Sequence, residues 1–145
     1  MEAAAPALSL SLQVHDIRTG DDIPKAFDAA KKAGAEGVLL TYESMFIVHR
    51  AKVTAGAARH NLPAIYPFRL LVTDAGGLMS YDAIPSDLHR QAASYVDRLL
   101  NGAKPSELPV QQPARFELSV NLRTTKALGL TIPPTLLARA DEVIE

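Results

Sequence analysis

GVLLTY, residues 37–42, is an uninterrupted apolar run of strand length, with Gly37 before it and the polar pair Glu43-Ser44 after it. A strand with one wet face alternates apolar and polar residues. A short run that is apolar throughout belongs to a strand covered on both faces, as in a parallel sheet flanked by helices. The neighbouring segments fit that reading. On the N-terminal side, TGDDIPKAFDAAKKAG (19–34) carries helix-start chemistry, with Thr19 or Asp21 as N-cap, Asp22 and Pro24 in the first turn, Lys31 and Lys32 near the end, and Gly34 as the stop. Ahead of it, LSLQVHDIR (10–18) alternates with Leu10, Leu12, Val14 and Asp16 on one side, which predicts a strand.

On the C-terminal side a helical pattern runs from Met45 to His60 and is closed by Asn61 and Pro63. AIYP (64–67) is the next short strand, and GLMSYD (77–82), after the Gly76-Gly77 turn, another. SDLHRQAASYVDRLLNG (86–102) predicts an amphipathic helix with Leu88, Ala92, Tyr95, Val96, Leu99 and Leu100 on one side, capped by Ser86 or Asp87 and ended by Gly102. Residues 103–113, AKPSELPVQQP, are proline-rich and polar and predict an extended connector. Beyond it come one more strand, FELSVNL (116–122), a short helix to Leu128, the Gly129 turn, and a last amphipathic turn or two from Pro134. Strands alternating with helices define an α/β fold, a three-layer Rossmann-like arrangement around a mainly parallel sheet.

Composition excludes several function classes. The 145 residues are 48% hydrophobic and 21% charged, which fits one globular domain with a sizeable core. The formal net charge of −1, with both signs interspersed, provides no basic stripe for nucleic acid and no polybasic block for anionic lipid. There is no cysteine, hence no thiol catalysis, thiolate metal site or disulfide. MEAAAPALSLSLQV has no basic start and no long apolar run, so no secretion signal is expected at residue 1, and no stretch reaches the roughly 20 apolar residues of a membrane-spanning helix.

Catalytic and metal chemistry find no constellation. The four histidines, His15, His49, His60 and His89, show no tight ligand spacing. His49 and His60 would lie roughly 16 Å apart along one helix, too far to share an ion. Ser80 lacks the flanking glycines of a nucleophile elbow. Gly76-Gly77 precedes a strand, where a phosphate cradle requires a helix N-terminus. Asp21 and Asp22 read as helix-start residues. The expectation is therefore a protein with no catalytic residue, no metal and no cofactor.

In α/β sheets of this kind, ligands sit at the carboxyl ends of the strands. That rule gathers Tyr42, Glu43, Ser44, Met45 and Phe46 after GVLLT, Tyr66, Phe68 and Arg69 after AIYP, and Ser80, Tyr81 and Asp82 at the end of GLMS. The competing interpretation is that Met45 and Phe46 plug a helix onto the sheet and that Arg69 is a solvated charge, since apolar residues at element ends more often mean core.

Taken in order, VLLTYES, HNLPAIYPFR, AGGLMSYD, LLNGAKPSELPV, FELSVNLRTTKALGLTIPP and LLARADEVIE resemble the C-terminal part of ABC-transporter substrate-binding proteins of the tryptophan/tyrosine-binding type, over about Glu2 to Glu145. The resemblance implies an incomplete lobe of a type I periplasmic binding protein, one half of a clamshell that closes on a small ligand such as an amino acid and delivers it to an ABC permease. It implies a periplasmic location, although the chain as it stands, lacking a signal peptide, would remain cytoplasmic if expressed alone. It further implies that a first lobe and the opening strand of the second precede residue 1. Residues 1–83 would then be the ligand-binding portion, and 84–145 a segment that partly returns to the other lobe. Carried over by position, the acidic residue that pairs with a ligand ammonium falls on Glu43, followed by Ser44. Tyr66-Pro67-Phe68-Arg69 occupies the next cleft loop, and Ser80-Tyr81 matches the strand leading toward the other lobe, with Asp82 where the family has glycine. A buried carboxylate at Glu43 would offset desolvation of the ammonium, Arg69 could take a ligand carboxylate, and Phe46, Tyr66 and Phe68 could form walls. A half-receptor with uncovered apolar surface is also expected to be a homo-oligomer. The alternative function is a stand-alone self-associating module without transport. A small Rossmann-like enzyme comes third, since fold does not fix chemistry.

Overall fold

The computed structural model describes residues 4–145. Five strands form one sheet in sequential order: β1 (Val38–Leu39), β2 (Ala64–Tyr66), β3 (Met79–Ala83), β4 (Phe116–Asn121) and β5 (Glu142–Ile144). β1, β2 and β3 are mutually parallel, β4 is antiparallel to β3, and β5 is parallel to β4. The single reversal comes from a long excursion: the chain leaves the sheet after Ala83, makes α5 (Pro85–Leu100) and the connector, and re-enters at Phe116, which pairs with Ala83.

The core lies on one face of the sheet. α1 (Asp22–Lys32) supplies Ile23 and Phe27, α3 (Arg50–Arg59) supplies Val53 and Ala57, and α4 (Leu70–Thr73) supplies Leu71 and Val72. These side chains pack over Leu40, Ala64 and Tyr66. Two glycines make that packing possible. A Cβ at Gly56 would stand 2.5 Å from the Phe27 ring, and one at Gly77 would stand 2.5 Å from the Tyr66 ring and 2.7 Å from the Leu71 carbonyl. On the opposite face Val120 is fully buried, while Leu39, Tyr81 and Phe116 remain exposed.

Most predicted elements are present with trimmed ends. α1 starts at Asp22, with Asp21 as an N-cap that makes no side-chain cap bond. Asp22 instead accepts bonds from the Thr19 hydroxyl (2.8 Å) and the Thr19 N–H (2.9 Å), which hold its carboxyl below the usual carboxylate range. The predicted 45–60 helix is two helices, α2 (Met45–Val48) and α3, separated at His49, whose φ of −101° and ψ of 23° are not helical. Its ring lies where a side chain at Gly20 would otherwise be. α6 (Leu122–Ala127) is capped by the Asn121 side chain, which accepts from the Thr124 N–H at 3.2 Å, and α7 (Pro134–Leu137) follows.

Two expectations are corrected. Residues 10–18 are not a strand: no ladder includes them, and Leu10, Leu12 and Val14 are exposed. Alternation makes a segment suitable for pairing, and pairing still requires a free edge beside it. Conversely, β5 was not foreseen. It is three residues long, too short for a periodic signal, and it exists because β4 offers a free edge for Ser119, Val120 and Asn121 to pair with Glu142, Val143 and Ile144.

Candidate ligand-binding site

The carboxyl ends of β1 and β2 lie side by side because their parallel register places Leu39 next to Ile65. Three residues beyond the end of β1 and two beyond the end of β2, the chain has placed the Tyr42 and Phe68 rings 4.3 Å apart at 51°. Phe68 is 7% exposed and Tyr42 is 67% exposed, so the pair forms a wall whose inner ring is anchored and whose outer ring faces solvent. Next to Tyr42, Glu43 is exposed, and its carbonyl accepts the Phe46 N–H at 3.0 Å as α2 begins. Its carboxylate makes no hydrogen bond or ion pair among the described residues, which leaves an uncommitted negative charge beside an aromatic pair. Ser44 is the exposed N-cap residue of α2, and its side chain makes no cap bond.

Arg69 is committed. Its Nε and Nη2 each lie 2.5 Å from a Glu142 carboxylate oxygen, a bidentate pair between residues 73 positions apart. The Arg69 backbone N–H donates to Asp82 at 2.8 Å, and the Ser119 hydroxyl donates to Glu142 at 3.2 Å. These bonds hold the Glu142 carboxyl below its usual range, while burial pushes the Asp82 carboxyl up against the opposing pull of Arg69. Sequence inspection missed Glu142 and Ser119 because nothing local marks them; only the β4–β5 register brings them under Arg69.

Phe46 and Tyr66 are 5% and 2% exposed and belong to the core, and the Tyr66 hydroxyl is pushed far up by burial. Ser80 is fully buried, and its hydroxyl has no hydrogen-bond partner. Tyr81, adjacent on the same strand, points to the opposite face, where it stacks on Phe116 at 5.2 Å. Tyr42 and Phe68 are in contact, with Glu43 and Ser44 following Tyr42 in the chain and Arg69 following Phe68; Phe68 shares its core cluster with Phe46 and Tyr66, and Tyr81 lies on the other face of the sheet. Two open concavities occur, one between α5 and residues 113–115 and one beside the start of α3, and neither is lined by Tyr42 or Phe68. Among the described residues no group of three or more His, Asp or Glu could hold a metal ion.

The Arg69–Glu142 pair has a measurable acid signature. Because the folded state depresses the Glu142 pKa, its contribution is fully present above the ordinary value of 4.5 and is lost as pH falls through the lower folded value. Glu142→Gln is expected to flatten the fall of stability below about pH 4.5 relative to the unmodified chain, as read from urea midpoints across pH. Asp82 works in the opposite direction, since its raised pKa favours the folded state as pH falls. An unchanged acid slope in Glu142→Gln would show that the pair contributes nothing.

The five-stranded, mostly parallel sheet carries the Tyr42–Phe68 pair at the carboxyl ends of β1 and β2. The chain matches the family described as ABC transporter substrate binding protein over residues 1–144, and it belongs to that family, which comprises binding proteins and not enzymes. No curated protein matches it in sequence. Among solved structures it is similar to a conserved domain protein from Vibrio cholerae O1 biovar El Tor, with a TM-score of 0.89 and 22% identity over 98% of this chain and 47% of that one. It is also similar to an ABC domain in complex with L-Trp from Streptococcus pneumonia, with a TM-score of 0.86 and 21% identity over 98% and 49%. A ligand-free, open substrate-binding protein with adhesive properties from Clostridium difficile follows, with a TM-score of 0.63 and 16% identity over 99% and 47%. The chain therefore spans about half the length of each of these structures and has the fold of one half of a periplasmic binding protein. Among the described residues no helix is long and apolar enough to cross a membrane.

Proposed function

We propose that this chain supplies one wall of the ligand cleft in the solute-binding component of an ABC importer, working outside the cytoplasm with a permease as its partner. The ligand class we favour is a small organic molecule bearing both a cationic amine and an apolar or aromatic body, such as an amino acid. The observation that carries this reading is the Tyr42–Phe68 pair beside the uncommitted Glu43 carboxylate at the carboxyl ends of two parallel strands. Aromatic faces attract both apolar groups and cations, and a carboxylate beside them selects for the amine. The similar structure solved with L-Trp supports the same ligand class.

In this reading Glu43 pairs with the ammonium, Ser44 adds a hydroxyl, and Tyr42 and Phe68 form the wall. Arg69 holds Glu142, so a ligand carboxylate would have to displace that partner to bind it. Residues 84–145 serve in part to meet the other lobe, a role suited to α5, which buries no residue while exposing Val96 and Leu100.

A wall without its opposing half forfeits much of the binding energy. Calorimetry of this chain with tryptophan, tyrosine, phenylalanine and aliphatic amino acids should give millimolar constants at best, about −4 kcal/mol. Micromolar binding would contradict the half-site reading. Millimolar binding of N-acetylated amino acids, which lack the ammonium, equal to that of the free ones would contradict the role of Glu43.

A further inference from the structure

Phe68, the anchored ring of the aromatic pair, stands between two elements that cannot hold it by themselves. β2 ends at Tyr66, Pro67 has no N–H with which to extend the ladder, and α4, which begins at Leu70, is only four residues long. What fixes this corner comes from the other strands. The peptide N–H that joins Phe68 to Arg69 donates to the Asp82 carboxylate at 2.8 Å, and Asp82 lies on β3 two residues past Ser80, the ladder partner of Tyr66. A side chain thus continues the β2–β3 pairing where the backbone ladder has ended. The Arg69 guanidinium is tied in turn to Glu142 on β5, through Nε and Nη2 at 2.5 Å each. Glu142 is itself held, by the Ser119 hydroxyl at 3.2 Å and by the β4–β5 register that sets it opposite Ser119. The backbone and the side chain of one residue are therefore fastened to two different strands.

Burial alone is the competing explanation, since Phe68 is 7% exposed and shares the core cluster with Leu71 and Val72. Apolar burial is non-directional: it keeps the ring covered without choosing its tilt or its distance from Tyr42. Hydrogen bonds carry direction, and the charge-assisted bidentate pair carries most.

We propose, resting on the reading of the Tyr42–Phe68 pair as the ligand-facing wall, that Asp82 and Glu142 are positioning residues for that wall. Through Arg69 they set the Phe68 ring at the 4.3 Å distance and 51° tilt at which it meets Tyr42. Neither carboxylate has to touch the ligand, and a change at either alters the wall without removing any of its atoms. A ligand carboxylate that drew Arg69 away from Glu142 would loosen the same ring.

The chain has four phenylalanines, Phe27, Phe46, Phe68 and Phe116, so labelling with 4-fluorophenylalanine gives four fluorine resonances, each assigned by its loss in a Phe→Leu variant. Glu142→Gln removes the charge that makes the pair bidentate, and it should shift and broaden the Phe68 line in the folded protein. Asp82→Asn, which weakens the bond to the Arg69 N–H, should do the same. The Phe27 line, from a ring packed against Gly56, should stay in place in both variants. A substitution that only lowers stability leaves the folded-state line where it is, so melting temperature and line position separate the two roles. Millimolar tryptamine, an aromatic amine, should move the Phe68 line of the unmodified chain and move it less in Glu142→Gln. A Phe68 line unmoved in both Glu142→Gln and Asp82→Asn would overturn the role of the two carboxylates. A line that moves in the variants but ignores tryptamine in the unmodified chain supports that role and counts against the ligand reading instead.

Discussion

Phe27→Ala should lower the unfolding free energy by about 3–5 kcal/mol, the range for deleting a buried aromatic side chain from a packed core. Phe27 is 4% exposed, and its ring lies directly over Gly56, where α1 crosses α3. A domain of this size has only about 5–15 kcal/mol of net stability, so the loss removes a large share of it. Gly56 makes the prediction sharper. In the unmodified chain Gly56→Ala forces a methyl into the Phe27 ring and should cost about 1–3 kcal/mol by overpacking. Once Phe27 is alanine the obstacle is gone, and the same Gly56→Ala change should stabilise by up to about 1 kcal/mol through helix propensity. A change of sign between the two backgrounds, read from urea midpoints at constant slope, is the expected result. Additive effects would mean that the two helices do not meet at this pair.

Glu43→Gln, made in a two-lobed protein carrying this chain, should weaken an amine-bearing ligand by roughly 2–5 kcal/mol, about 30-fold or more. Glutamine keeps the shape and hydrogen-bonding capacity and removes the charge, so a desolvated ammonium in the closed cleft loses its counter-ion. Folding should barely change, because Glu43 is exposed and only its backbone carbonyl enters the start of α2. The competing role, support of the α2 N-terminus, predicts the reverse: a stability loss of about 1 kcal/mol with affinity intact. Melting temperature and calorimetry on the same variant separate the two. Unchanged affinity for the amine-bearing ligand removes Glu43 from the site.

The element types were readable where periodicity and stop residues agree. The helix ending at Gly34, with φ of +82°, and the helix ending before Gly102, with φ of +94°, both stop where glycine alone adopts the left-handed backbone without strain. GVLLT and AIY likewise carry the apolar run of a covered parallel strand, and they are neighbours in the sheet. The rule that strand ends carry ligands selects Tyr42 and Phe68. That Phe68 is anchored while Tyr42 is exposed could not be read from their letters.

What the sequence determined by itself is local: apolar period, capping chemistry and turn glycines act over a few residues, so they specify which segments become helix or strand and that the layers are α/β. Tertiary structure decided everything that depends on which groups meet across long separations. Arg69 is occupied by Glu142, 73 residues away, Tyr66 is buried in the core, and Ser80 and Tyr81 face opposite sides of the sheet. The same rule separates β5 from residues 10–18. The shorter segment is a strand because β4 offers it an edge, and the longer, better-patterned one is not, because a ladder needs two members and a sequence pattern describes only one of them.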